Sequence, residues 1–153
     1  MTANALSEEQ SKTLGRILRD VIDKCDAEAV AVCDIGGYVL GEDTRDKNES
    51  IANAAALAAG SFAATNELAQ LIGEPGFKSI SHRGRKSGIV ISSLCEGYLI
   101  LVILGQKSVE GLVRLFLKKV TPQLASLIAE TTGQSAEDAG HAAEFEVEER
   151  PEE

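Results

Sequence analysis

Tryptophan is absent from this 153-residue sequence, and aromatic residues make up only 4% of it. Its core therefore has to be aliphatic and alanine-rich, and little is available for stacking nucleic-acid bases. Histidine occurs only at His82 and His141, so no pair is placed to bind a metal or orient a nucleophile. Cys25, Cys33 and Cys95 are odd in number and lack C-x-x-C or zinc spacing, which predicts buried, reduced thiols. The longest apolar stretch, Tyr98 to Leu104, falls far short of the ~20 residues a membrane helix requires. Met1 to Ser7 has neither the basic start nor the apolar run of a signal peptide, so a cytoplasmic protein with no direct membrane insertion is expected.

What is present is ordinary for a globular domain: 44% apolar and 25% charged residues. At this length about 70% of the unfolded surface can be buried, enough for one core without disulfides or metal. The net charge of −9 is unevenly spread. From Glu130 onward there are nine acids and one base, Arg150, whereas Met1 to Ala129 carries 15 acids and 14 bases. A near-neutral domain argues against nucleic acid as a partner, because that surface needs clustered Lys and Arg.

Leu6-Ser7-Glu8-Glu9-Gln10 has the form of a capping box, and Leu14, Ile17, Leu18, Val21, Ile22 and Cys25 follow at helical spacing. Two β-like runs, Ala29 to Cys33 and Tyr38 to Gly41, flank Asp34-Ile35-Gly36-Gly37 and predict a hairpin. After a polar loop, Asp43 to Ser50, Ser50 is expected to cap a second helix, Ile51 to Ile72, ended by Gly73, Pro75 and Gly76. Phe77 to His82, Gly88 to Leu94 and Tyr98 to Leu104 read as an antiparallel meander, with the last, continuously apolar run suited to a strand covered on both faces. Ser108 is expected to cap a third helix with Val109, Leu112, Val113, Phe116, Val120, Leu124, Leu127 and Ile128 on its inner stripe and a kink at Pro122. Beyond Thr132 hydrophobic periodicity stops. The expected organisation is an extension over residues 1–6, one domain over 7–132 and an acidic, disordered tail over 133–153 that is dispensable for folding.

The second helix carries nine alanines plus Gly60 and Ser61. Ile51, Ala55, Ala58, Phe62, Thr65, Ala69 and Ile72 form one stripe, suited to packing on the sheet. Leu57, Ala64, Leu68 and Leu71 form a second that has something further to bury. A third, Asn53, Ala56, Gly60, Ala63, Glu67 and Gln70, is small in its middle and polar at its ends, and should face outward. Small residues let another backbone approach closely, and Gly60 costs about 1 kcal/mol against Ala in a helix interior. Elsewhere the raw material is sparse. Gly105-Gln106-Lys107-Ser108 resembles the end of a phosphate loop but does not satisfy G-x-x-x-x-G-K-S, and reads as an ordinary strand-to-helix turn. His82 reads as a solvated edge residue, and Arg83, Arg85 and Lys86 as a solvated turn.

The α-β-β-α-β-β-β-α order, with Ala29-Val30-Ala31-Val32-Cys33-Asp34-Ile35-Gly36-Gly37-Tyr38-Val39-Leu40-Gly41 as its first hairpin and Gly111-Leu112-Val113-Arg114 opening its last helix, resembles the Roadblock/dynein light-chain family, and most of all its bacterial MglB-type members. The resemblance spans Ser7 to Thr132. It implies an α/β fold with a five-stranded antiparallel sheet and helices on both faces. It further implies a homodimer that binds a small Ras-like GTPase and stimulates GTP hydrolysis by ordering the GTPase's own loops, with no catalytic residue, cofactor or metal of its own. The GTPase-binding positions would be Asn53, Ala56, Gly60, Ala63 and Glu67. The dimer would be built on Leu57, Ala64, Leu68 and Leu71 and on the strand edge with Phe77, Ser79 and Ser81, where pairing removes an aggregation hazard. Arg45, Arg83 and Arg85 are the candidates for an arginine supplied in trans. The competing expectation is a scaffold subunit of a motor-associated or membrane-tethering complex.

Overall fold

The computed structural model describes residues 6–46 and 48–132. The elements are α1 (Glu8–Cys25), β1 (Ala27–Asp34), β2 (Val39–Thr44), α2 (Ala52–Leu71), β3 (Ser79–Arg83), β4 (Gly88–Cys95), β5 (Tyr98–Leu104) and α3 (Glu110–Thr132), in the expected order. The strands pair antiparallel in the order β2-β1-β5-β4-β3, so β2 and β3 are the edges. The acidic tail and its expected disorder lie outside the described residues.

Alternation along β5 shows how the sheet serves two cores. Ile100, Val102 and Leu104 point to the face covered by α1 and α3, while Leu99 and Leu101 point to the face covered by α2. Ser7 caps α1 as the capping box predicts, its hydroxyl accepting from the Gln10 N–H at 3.1 Å while the Gln10 side chain accepts from the Ser7 N–H at 2.8 Å. The expected apolar stripe of α1, from Leu14 to Cys25, is buried in full.

Three local expectations are corrected. The strand expected to stop at Gly41 runs on to Thr44, because Gly41 to Thr44 pair with Val32 to Ala29 of β1; pairing overrides the weak strand preference of Glu42 and Asp43. Ser50 is not the N-cap of α2: that place is taken by Ile51, whose N–H donates to Glu42 Oε1 at 2.8 Å, so a β2 carboxylate neutralises the helix start. Ser50 Oγ accepts from the Ala52 N–H one step further out, at 3.2 Å.

The third correction concerns α3. Ser108 is buried, accepting from the Gly105 N–H at 2.9 Å and donating to the Asp26 carbonyl at 2.6 Å, so it pins this turn to the end of α1 instead of capping α3. Val109 and Leu112, expected inside, are each 55% exposed, and Leu117 lies inside. The inner stripe steps from Val113 to Leu117, Val120, Leu124 and Leu127, a series from which Leu112 is rotated by about 100°. The helix continues through Pro122.

Candidate functional site

Two groups of side chains on α2 are left uncovered by the fold. Ala55, Ala58, Ala59, Phe62 and Ala69 are buried against the sheet, and Thr65 is half-buried. Ile51 is buried just ahead of the helix, while Ile72, expected on this stripe, is exposed where the helix ends. The second stripe stands in solvent: Leu57, Leu68 and Leu71 are between 55 and 83% exposed, with Ala64 exposed among them. Asn53, Ala56, Gly60, Ala63, Glu67 and Gln70 are also exposed. A Cβ built on Gly60 would meet no atom of the described residues within 4 Å, so nothing among them requires glycine there.

The β1–β2 turn abuts the start of this surface. Asp34 Oδ1 accepts from the N–H groups of Gly36 and Tyr38, each at 2.9 Å, and the Asp34 carbonyl accepts from the Gly37 N–H at 2.9 Å. Gly37 has φ 93°, and a Cβ there would lie 2.9 Å from Ala56 Cα, so both the turn and its seating on α2 require glycine. The turn presents Ile35 and Tyr38, 63% and 76% exposed, beside Ala56. These two residues were not among the sequence-derived site candidates. The available signal was a large apolar and an aromatic side chain inside an Asp/Gly turn, where neither has a local packing role.

No protein-family model and no curated protein matches this chain. Solved structures do. The gliding protein MglB from Thermus thermophilus is 25% identical, with a TM-score of 0.76 over 82% of this chain and 96% of that one. Myxococcus xanthus MglB is 25% identical, with a TM-score of 0.75 over 86% of this chain and 98% of that one. The chain has the Roadblock fold and is similar to MglB. A Roadblock/LC7 domain from Streptomyces avermitilis, 16% identical with a TM-score of 0.62 over 72% of this chain and 96% of that one, shares the fold.

Within this Roadblock frame the other sequence candidates have definite surroundings. Phe77 is half-buried, its N–H donating to Asn66 Oδ1 of α2 at 3.0 Å. The side chains of Ser79 and Ser81 are engaged with α3: Ser81 donates to Glu110 Oε2 at 2.8 Å, and Arg114 donates to Ser79. The outer backbone edge of β3, with Ile80 on the α2 side, pairs with no further strand among the described residues. Glu110 is held below the usual carboxylate range, first by the Ser81 hydroxyl and then by Arg114.

Arg45, a candidate finger, is engaged within its own chain. It donates to the Ala27 carbonyl at 2.8 Å and the Ile22 carbonyl at 3.3 Å and pairs with Asp26 at 3.4 Å, closing the end of α1. Arg83 reaches Glu110 at 4.0 Å, while Arg85 and His82 are exposed. In the turn after β5, the Gly105 N–H is already taken by Ser108, so the backbone does not form a phosphate cradle. All three thiols are free. Cys25 and Cys33 are buried and Cys95 is half-buried. Burial, with Asp34 adding to it, pushes the Cys33 thiol up to about 11, and burial raises the other two as well. Among the described residues no three His, Cys, Asp or Glu side chains converge on a possible metal position, and no helix is long and apolar enough to cross a membrane.

Proposed function

We propose that this chain is a homodimeric regulator of a small Ras-like GTPase, engaging it through the small-residue face of α2 and stimulating GTP hydrolysis. The observation that carries this reading is the exposed surface of α2, apolar along Leu57, Leu68 and Leu71 and small around Ala56 and Gly60, on a fold similar to MglB. Apolar residues left in solvent along one helix favour a protein contact, and the free edge of β3 favours a second copy that covers both features.

Stimulation would act through the partner's own machinery. GTP hydrolysis needs a positioned water and stabilised charge on the transferred phosphoryl group, and ordering the GTPase's loops can supply the first without an arginine in trans. Arg45 supports this route by being committed to the α1 terminus. The chain then contributes no catalytic residue.

Light scattering at micromolar concentration tests the dimer: wild type should have twice the chain mass, and Leu68→Glu, which would place an unpaired carboxylate in the contact, should be monomeric. A wild-type monomer mass sinks this part. For the second part, wild type should capture a small GTPase from native lysate in its GTP-loaded form and accelerate its hydrolysis. Gly60→Arg should abolish both with unchanged circular dichroism and mass, because arginine stays solvated until a partner closes on it. Wild-type stimulation by this variant would remove the α2 face as the site.

A further inference from the structure

A groove of about 760 Å³ runs between α3 and strands β3 and β4, on the opposite face of the sheet from α2. Its floor includes the buried Val90, Leu94 and Leu117, and its rim carries Lys78, Lys118 and the exposed Leu115. Among the described residues no acidic side chain lines it. Glu110 is close by but already accepts from Ser81 and Arg114, with Arg83 at 4.0 Å, whereas Lys78 and Lys118 have no ion-pair partner among the described residues. An apolar trough with unpaired lysines on its rim therefore stands on a domain that is otherwise close to charge balance.

The same chain contains a segment with the complementary pattern. Glu144-Phe145-Glu146-Val147-Glu148 alternates acid and apolar residues, so in an extended conformation Phe145 and Val147 share one side and three carboxylates take the other. Phe145 and Val147 are the only sizeable apolar residues from Gln134 to Glu153. Chain length permits the encounter. Lys118 lies 14 residues before the end of α3 at Thr132, about 21 Å along the helix axis at the standard rise. Twelve residues separate Thr132 from Phe145, and a flexible linker of that length has a root-mean-square span of about 20 Å. A span matched to the distance gives an effective concentration of order mM, so a contact with a dissociation constant below about 1 mM is mostly occupied.

We propose that residues 144–148 dock in their own chain's α3/β3/β4 groove, with Phe145 and Val147 on the Leu94 and Leu117 floor and the flanking carboxylates reached by Lys78 and Lys118. The acidic segment is then an intrachain ligand of the α1/α3 side, and α2 remains free. This proposal does not depend on the GTPase reading, and its test needs no partner.

Because the chain has no tryptophan, Phe145→Trp in the full-length protein is a unique reporter. At low salt its emission should be blue-shifted, and acrylamide should quench it several-fold less than the same residue in an isolated 134–153 peptide. The signal should be unchanged by dilution. About 0.5 M salt should shift it toward the free-peptide spectrum, since the exposed charge attraction is screened. The double reversal Lys78→Glu/Lys118→Glu, checked by circular dichroism, should abolish the shift at low salt, and Lys12→Glu on α1 should not. A free-peptide spectrum at low salt overturns the proposal. So does a Lys12→Glu effect equal to the groove reversal, which would make the attraction diffuse, or a signal that fades on dilution, which would make it intermolecular.

Discussion

On the α1/α3 side of the sheet the core is thick: of its 20 buried members among the described residues only Ala27 is an alanine, and the rest are Leu, Ile, Val and one cysteine, Cys25. On the α2 side, five of the eleven buried members among the described residues are alanines, Ala29, Ala31, Ala55, Ala58 and Ala59. The difference separates two jobs that burial can do. Large aliphatic side chains from two helices and the sheet remove most apolar surface from water and supply most of the folding free energy. Alanines instead let α2 lie close to the sheet, contributing less burial per residue while leaving its leucines on the outside. One face holds the molecule together, and the other displays surface.

Truncation should separate the two faces most sharply. Leu18→Ala, at a side chain 1% exposed in the thick layer, should cost about 2–5 kcal/mol, read from urea unfolding. Leu68→Ala, on the outward side of α2, should change the stability of the isolated chain by no more than about 0.5 kcal/mol. Comparable losses at both sites would break the division. Next in size, Gly37→Ala should cost about 1–3 kcal/mol, because alanine must adopt a positive φ and its methyl group would meet the Ala56 backbone. It should also disturb the Ile35/Tyr38 turn, visible as shifted amide signals of Ala56 and its neighbours.

A smaller effect is tied to pH. Glu110 has a lowered pKa in the folded state, so its contribution is complete above the ordinary carboxylate pKa and is lost as pH falls through the lowered one. Acid unfolding of Glu110→Gln should accordingly be less steep than that of wild type over that window, with little difference in how the two respond between pH 6 and 8. The smallest effect has the opposite sign. Gly60→Ala should stabilise the isolated chain by about 0.5–1 kcal/mol, since the site is open and helical. A loss there would mean that Gly60 serves the fold rather than a partner.

Much of this architecture is legible in the sequence. The capping box at Ser7, the buried stripe of α1 and the bounds of β5 were all readable because each depends on local chemistry and strict periodicity. The outward stripes of α2 were legible for the same reason. Ser108 reads as a cap because it precedes an apolar helix, and only the Asp26 carbonyl arriving from the far end of α1 diverts its hydroxyl. Leu117 and Leu112 were interchanged because α3 is apolar on more than one side, so periodicity leaves the direction of its buried stripe ambiguous. Ile35 and Tyr38 are not legible as surface residues of this site, because their place in it depends on the Gly37 turn meeting Ala56, a contact between residues 19 apart in the chain.

By itself, then, the sequence determined the element order, the aliphatic character of the core, the charge contrast between domain and tail and the small-residue face of α2. These follow from composition and from the helical and strand periods, properties a segment carries with it. Tertiary structure decided that Glu42 would close the start of α2, that Arg45 would close the end of α1, and that Ser79 and Ser81 would turn toward α3. It also decided that a groove rimmed by Lys78 and Lys118 would open beside α3. Each of these brings together groups from distant segments, and a polar side chain with several possible partners takes the one that the packed chain places within hydrogen-bonding distance.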